Sequence, residues 1–158
     1  MVTGSTLRKE HVFRGEDRLS LLQGTILDSL KNHGWELRAW SVFSNHYHFI
    51  AESPEMESSL RQVIQRIHSL TAREANRLDD TLGRRVWFQY WDSCITYEKS
   101  YYPRLNYVHN NPVKHGLVSD AKLYSYCSAS WFQKEAESSF REKVESFKYD
   151  QIIVPDDY

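Results

Sequence analysis

The sequence predicts an α+β domain, a ferredoxin-like split βαβ sandwich whose antiparallel sheet carries helices on one face, with one further helix added near the C-terminus. Three observations carry this prediction. Short stretches of alternating apolar residues are interleaved with two long stretches of helical periodicity. Their order is strand, helix, strand, strand, helix, strand, helix. The length, 158 residues with 41% hydrophobic and 14% aromatic side chains, suits one buried core. In this plan the first and third strands are central.

Residues 2 to 13 carry Thr, Val and Phe around a glycine and read as the first strand. A helix over 16 to 33 sets Leu19, Leu22, Ile26 and Leu30 at helical spacing, and Gly34 is placed to cap its end. From Trp35 to Phe43, the residues Trp35, Leu37, Ala39 and Phe43 alternate with Glu36 and Arg38, as a half-buried strand requires. The Ser44-Asn45 turn leads into a strand from His46 to Ala51, so the two strands form a hairpin. Ser53-Pro54-Glu55 combines a capping hydroxyl, a first-turn proline and an acid near the positive end of the dipole, which predicts a helix from there to Leu78. Its apolar stripe is Leu60, Val63, Ile64, Ile67, Thr71, Ala75 and Leu78, while Arg66, Arg73 and Arg77 share another face. Residues 84 to 97, rich in aromatics, read as the fourth strand. A short helix over 100 to 111 turns Leu105 and Val108 inward and ends or kinks at Asn111, because Pro112 follows.

The formal charge of −1, from 20 basic and 21 acidic side chains, lacks the basic excess that would make nucleic acid the default partner. The charge is uneven: residues 135 to 158 hold seven acidic and three basic side chains, leaving a modestly basic body. The chain therefore divides into a domain over 1 to 132 and an acidic tail over 133 to 158, which reads as a solvating extension, a short packing helix or a cover for the basic face. No apolar run approaches the roughly 18 residues of a membrane span and no signal peptide precedes the fold, so the expected location is cytoplasmic, without a membrane. Cys94 and Cys127 form no Cys-x-x-Cys pair and read as small, partly buried thiols. No glycine-rich phosphate loop is present, which speaks against a nucleotide cofactor.

Chemistry concentrates in two places. On a strand His46 and His48 point to one face with Cα atoms about 6.6 Å apart, and two imidazoles on one face can share a metal ion or can be ordinary half-buried histidines. In Tyr107-Val108-His109-Asn110-Asn111-Pro112, Tyr107 and Asn111 are four apart and share a helical face, with Arg104 close to it. A tyrosine packed with its hydroxyl at the surface satisfies the same spacing. Arg66, Arg73, Arg77, Arg84 and Arg85 are placed to track phosphates, and Trp87, Trp91, Tyr101 and Tyr102 to stack on bases of single-stranded DNA; solvated arginines and core tryptophans are the alternative. His68, His109 and His115 are candidates for DNA contact or proton transfer, whereas His11 and His33 read as surface residues.

Ser44-Asn45-His46-Tyr47-His48-Phe49, then Val86-Trp87-Phe88-Gln89-Tyr90-Trp91-Asp92, then Leu105 to Val118 with Tyr107-Val108-His109-Asn110-Asn111-Pro112-Val113-Lys114, resemble the single-tyrosine HUH transposases. More narrowly, they resemble the transposases associated with repetitive extragenic palindromes, the RAYT group. The resemblance covers residues 1 to 132. It implies that His46 and His48 hold a divalent metal, Mg2+ or Mn2+, and that Asn111 is the third ligand where relatives place a glutamine. It implies that Tyr107 is the nucleophile of a 5′-phosphotyrosine intermediate, that the substrate is single-stranded or hairpin DNA, and that the protein is a homodimer. Arg104 and Lys114 would favour the phenolate of Tyr107. Phe43-Ser44 stands where many relatives have Met-Pro, and the chain is less basic than they are. The readings to be distinguished are this strand transferase, a replication or conjugation HUH nuclease, and a non-catalytic single-stranded nucleic-acid-binding domain of the same fold, which lacks the expected RNP run here.

Overall fold

The computed structural model describes residues 1–54, 59–149 and 152. Four strands, β1 (Val2–Thr6), β2 (Glu36–Val42), β3 (His46–Glu52) and β4 (Trp87–Asp92), form one antiparallel sheet in the order β2-β3-β1-β4. The first and third strands are therefore central, as the split βαβ plan requires. Helices α1 (Glu16–Asn32) and α2 (Leu60–Leu78) pack side by side on one face, where Leu22, Ile26 and Leu30 meet Val63, Ile64 and Ile67 over Tyr47 and Phe49. Helix α3 (Glu98–Lys114) lies on the other face, over β2 and β3. Its Tyr102, Leu105, Tyr107 and Val108 are buried with Ala39 and Ile50, each apolar side chain stabilising by about 1.5–3 kcal/mol.

Several elements differ from their expected limits for identifiable reasons. The first strand stops at Thr6 and a 3-10 turn, Leu7–Lys9, follows. The helix α1 ends where Gly34 adopts φ 75°, with Gly34 N–H donating to Lys31 and Trp35 N–H to the Leu30 carbonyl, a Schellman cap. In β2 the alternation does not hold throughout: Leu37 pairs with Ala51 but Ala39 with Ile50, so Arg38 is an extra, bulged residue. The bulge sends Trp35 and Leu37 to the α1/α2 layer and Ala39 to the α3 layer, splitting residues that the sequence assigned to one face. Helix α2 begins at Leu60 behind Ser59; Ser53 and Pro54 are not helical, and Glu55 lies outside the described residues.

Pro112 neither ends nor terminates α3, which runs on to Lys114. Proline removes the N–H that would serve the Val108 carbonyl. The buried Cys127 thiol takes over that duty, its Sγ lying 3.8 Å from the Val108 oxygen and 3.4 Å from that of His109. Exposed Cys94, by contrast, is not even partly buried.

The expected division at residue 132 falls inside helix α4 (Ala129–Glu135), which is followed by α5 (Ser138–Glu145). Phe132 and Val144 are buried against α3, and the Asn106 amide donates to the Phe147 carbonyl at 2.8 Å. The described part of the acidic segment thus packs on the domain. It also covers Tyr102, whose ring meets Phe140 and Phe147.

Candidate active site

A central strand with helices on both faces must present opposite sets of side chains to two buried layers. On β3, Tyr47 and Phe49 enter the α1/α2 layer, while His46 and His48 face α3. From α3 comes Tyr107, whose ring stands edge-on to His48 with centroids 5.5 Å apart. The histidine strand and the tyrosine helix therefore converge within one chain. Lys114 places its Nζ 4.9 Å from the centre of the Tyr107 ring, and His115 brings its ring 5.0 Å from that of His46. Phe43 stacks on His46 at 4.5 Å. Tyr107, His48 and Asn111 are 0% exposed and His46 8%, whereas Lys114 and His115 are exposed and stand at the rim.

Each histidine has a fixed partner at Nδ1: Thr3 Oγ1 at 2.8 Å for His48 and Asn45 Oδ1 at 2.7 Å for His46. The Nε2 atoms of both rings are buried. In the ladder Ser41 pairs with His48 from β2 and Thr3 pairs with it from β1, so the three side chains form one row across the sheet. Burial first, then His115 and Lys114, pushes the His48 imidazole down to about 3, so it is neutral and can offer a lone pair.

The fit of these residues to a divalent cation is carried by Asn111. Its amide oxygen and nitrogen are both buried and neither finds a hydrogen-bond partner among the described residues. Leaving such atoms orphaned costs on the order of 1–3 kcal/mol each. A cation held by Asn111 Oδ1 together with imidazole nitrogens would remove part of that cost and keep open positions. Among the described residues no group of three or more His, Cys, Asp or Glu side chains is arranged to hold a metal ion, so the donor set available is histidine plus amide rather than a carboxylate cage.

The remaining candidates are distributed elsewhere. Arg66 and Arg73 are exposed on α2, behind the sheet from Tyr107, and Arg77 is tied to Glu74 at 2.6 Å on the same helix. Arg84 bonds Asp79 at 2.6 Å and the Asn76 amide oxygen at 3.0 Å, a loop anchor that Arg18 shares through Asp79. The Arg85 guanidinium donates to the carbonyls of Trp87 and Phe88. Arg104 is engaged with Ser100, at the hydroxyl and at the carbonyl. Trp87 is core: it stacks on Phe13 and on His68, and its Nε1 donates to Thr71. Tyr102 is buried, Tyr101 and Trp91 are half-buried, and Trp91 lies against exposed Phe88. His68 shares a hydrogen bond of 3.0 Å with the Tyr47 hydroxyl behind the sheet, and His109 is buried against Phe132. Of the three auxiliary histidines only His115 joins the site. His11 is exposed as expected, but His33 is half-buried with Nδ1 on the Ser29 carbonyl.

Thr3, Ser41 and Asn45 are the site residues that sequence reasoning missed. Period-two alternation puts a polar residue of each neighbouring strand on the histidine face, but only the register says which one.

A family model described as "Transposase IS200 like" matches residues 2–111. The REP-associated tyrosine transposase of Escherichia coli (strain K12) is 25% identical over 107 residues, 67% of this chain and 61% of that relative, so the match spans less than two thirds of the relative's length. A solved REP-associated tyrosine transposase bound to a REP hairpin superposes with a TM-score of 0.65 at 19% identity, covering 99% of this chain and 86% of that one. At this identity the likeness speaks for the fold.

Proposed function

This chain belongs to the IS200-like transposase family, and from that premise we propose that it cuts and rejoins single-stranded DNA through a covalent bond to Tyr107. The observation that supports this reading above the others is the meeting of Tyr107 with His48 in a buried layer, 5.5 Å between ring centres, with the orphaned amide of Asn111 one turn further along α3.

His46, His48 and Asn111 would hold a divalent ion, Mg2+ or Mn2+, which when bound supplies positive charge to neutralise the phosphate under attack. The protein's own groups do the rest. Thr3 and Asn45 keep the two imidazoles in place through Nδ1. The Tyr107 oxygen attacks phosphorus as its phenolic proton departs; the bond from phosphorus to the 3′ oxygen breaks and that oxygen takes a proton. The outcome is a 5′-phosphotyrosine and a free 3′-hydroxyl. Attack by another 3′-hydroxyl reverses the exchange and releases Tyr107, with no nucleotide consumed. The Lys114 ammonium beside the Tyr107 ring favours the charged phenolate.

Because Tyr107 is wholly buried, a phosphate reaches it only if the surrounding side chains give way, and exposed Lys114, 4.9 Å from its ring centre, is placed to meet that phosphate. The arginines of α2 lie behind the sheet, where they would engage DNA flanking the reacting nucleotide rather than the nucleotide itself. A hairpin is the substrate of choice, since the related transposase was solved with one. The burial of Tyr107 also favours a second reading, a non-catalytic nucleic-acid-binding domain in which the phenol is a core residue.

Incubation with hairpin-bearing single-stranded DNA and Mn2+, followed by a denaturing gel, separates the two. A protein-DNA adduct formed by the wild type and absent from Tyr107→Phe supports the strand transferase. DNA binding with no adduct under any metal supports the binding domain.

A further inference from the structure

Asn45 precedes the first histidine in the chain, and its surroundings fix its amide more tightly than a turn residue requires. Its Nδ2 donates to the Lys9 carbonyl at 3.3 Å, and its backbone carbonyl accepts from both the Thr6 N–H at 2.9 Å and the Thr6 hydroxyl at 3.1 Å. The Thr6 hydroxyl in turn contacts the Glu10 carbonyl at 2.7 Å. The Lys9 carbonyl is delivered by an uncommon backbone: Arg8 and Lys9 are consecutive non-glycine residues with φ 54°. With Nδ2 committed to Lys9, the amide oxygen is the atom that faces His46 Nδ1 at 2.7 Å. The flipped amide would set two oxygens against each other at Lys9, which is repulsive.

An amide oxygen only accepts. His46 must therefore carry its neutral-state proton on Nδ1, which leaves the lone pair on Nε2, the buried nitrogen. We infer that Asn45 is a positioning residue that selects the Nδ1–H tautomer of His46, and that the left-handed Arg8-Lys9 turn serves to hold the Asn45 amide in the orientation that does so. His48 receives no such instruction from Thr3, because a hydroxyl both donates and accepts. The inference rests on the metal-binding reading for its purpose, but the tautomer is a property of the metal-free protein.

The test uses the metal-free full chain labelled with 15N at histidine. Long-range 1H–15N correlation reads which ring nitrogen of His46 bears the proton, with assignment by His46→Gln. The expected result is Nδ1–H in the wild type and in Asn45→Asp, which keeps an acceptor oxygen, and a loss of that preference in Asn45→Ala. Titration with Mn2+ alone should then show affinity falling about 10- to 100-fold in Asn45→Ala and recovering in large part in Asn45→Asp. An Nε2–H signal in the wild type, or an unchanged Nδ1–H signal in a folded Asn45→Ala, overturns the inference. An Nδ1–H signal that depends on Asn45 while the wild type binds no Mn2+ upholds the inference and instead removes the metal from the proposed function.

Discussion

Gly4 shows how closely the histidine strand is held at the level of single atoms. A Cβ at that position would stand 2.5 Å from Cζ of Tyr47 and 2.6 Å from its hydroxyl oxygen. Tyr47 is the residue between His46 and His48, fully buried and bonded through its hydroxyl to His68, so its ring cannot swing aside cheaply. Gly4→Ala is expected to destabilise the fold by about 1–3 kcal/mol and, on the proposed metal-binding reading, to weaken Mn2+ binding on the opposite face, because relieving the clash moves β3. Denaturant unfolding and Mn2+ titration check this; a variant with wild-type stability and affinity would show that Tyr47 relocates freely. At this scale spacing told which of His46, His48, Tyr107 and Asn111 share a face, since period two and period 3.6 decide that, while their expected roles came from the family resemblance. Thr3 and Ser41 were not, because they reach His48 through strand register, which no local pattern contains.

Among elements, α3 carries the clearest conflict between local preference and tertiary context. Pro112 marks a helix end in sequence, yet α3 continues, and the Cys127 thiol sits at the carbonyls of Val108 and His109. The cysteine comes from the segment around 124–128, which also pairs with the outer edge of β2 through Ser128 and Tyr126. A double-mutant cycle follows from this geometry. Cys127→Ala should cost about 1 kcal/mol in the native background, where the Val108 carbonyl loses the thiol, and less in Pro112→Ala, where the helix supplies the missing N–H. Equal costs in both backgrounds, read from urea midpoints, would show that the thiol merely fills space. The bulge at Arg38 teaches the same lesson in a strand. Alternation is legible residue by residue, but one inserted residue reverses every face beyond it, and Arg38 is drawn out by Glu36 and Glu52, its ion-pair partners.

For the molecule as a whole, the two buried layers set the response to acid. Burial pushes the imidazoles of His68 and His109 down to about 4, against an ordinary value near 6.5. The unfolded chain takes up protons at higher pH than the folded one, so the stability these groups permit is fully present above about 6.5 and is lost as pH falls toward 4. Denaturant midpoints of the metal-free protein should therefore drop between pH 7 and pH 4.5. His68→Gln, which retains a hydrogen-bonding group for Tyr47 but cannot titrate, should flatten that slope; an unaltered slope would place the acid sensitivity elsewhere. No helix among the described residues is long and apolar enough to cross a membrane.

By itself the sequence determined the order of elements and the faces carrying His46, His48, Tyr107 and Asn111, because these follow from periodicity within one element, and the order in turn implied the two central strands of the split βαβ plan. Only the tertiary structure decided that α3 folds onto the histidine face of its own chain, that the described part of the acidic segment packs on α3 through Val144, next to Phe132, and that most of the arginines are committed to carbonyls and carboxylates. The reason is physical: periodicity orients a side chain about its own axis, whereas the burial of apolar area between elements distant in sequence chooses which axes meet.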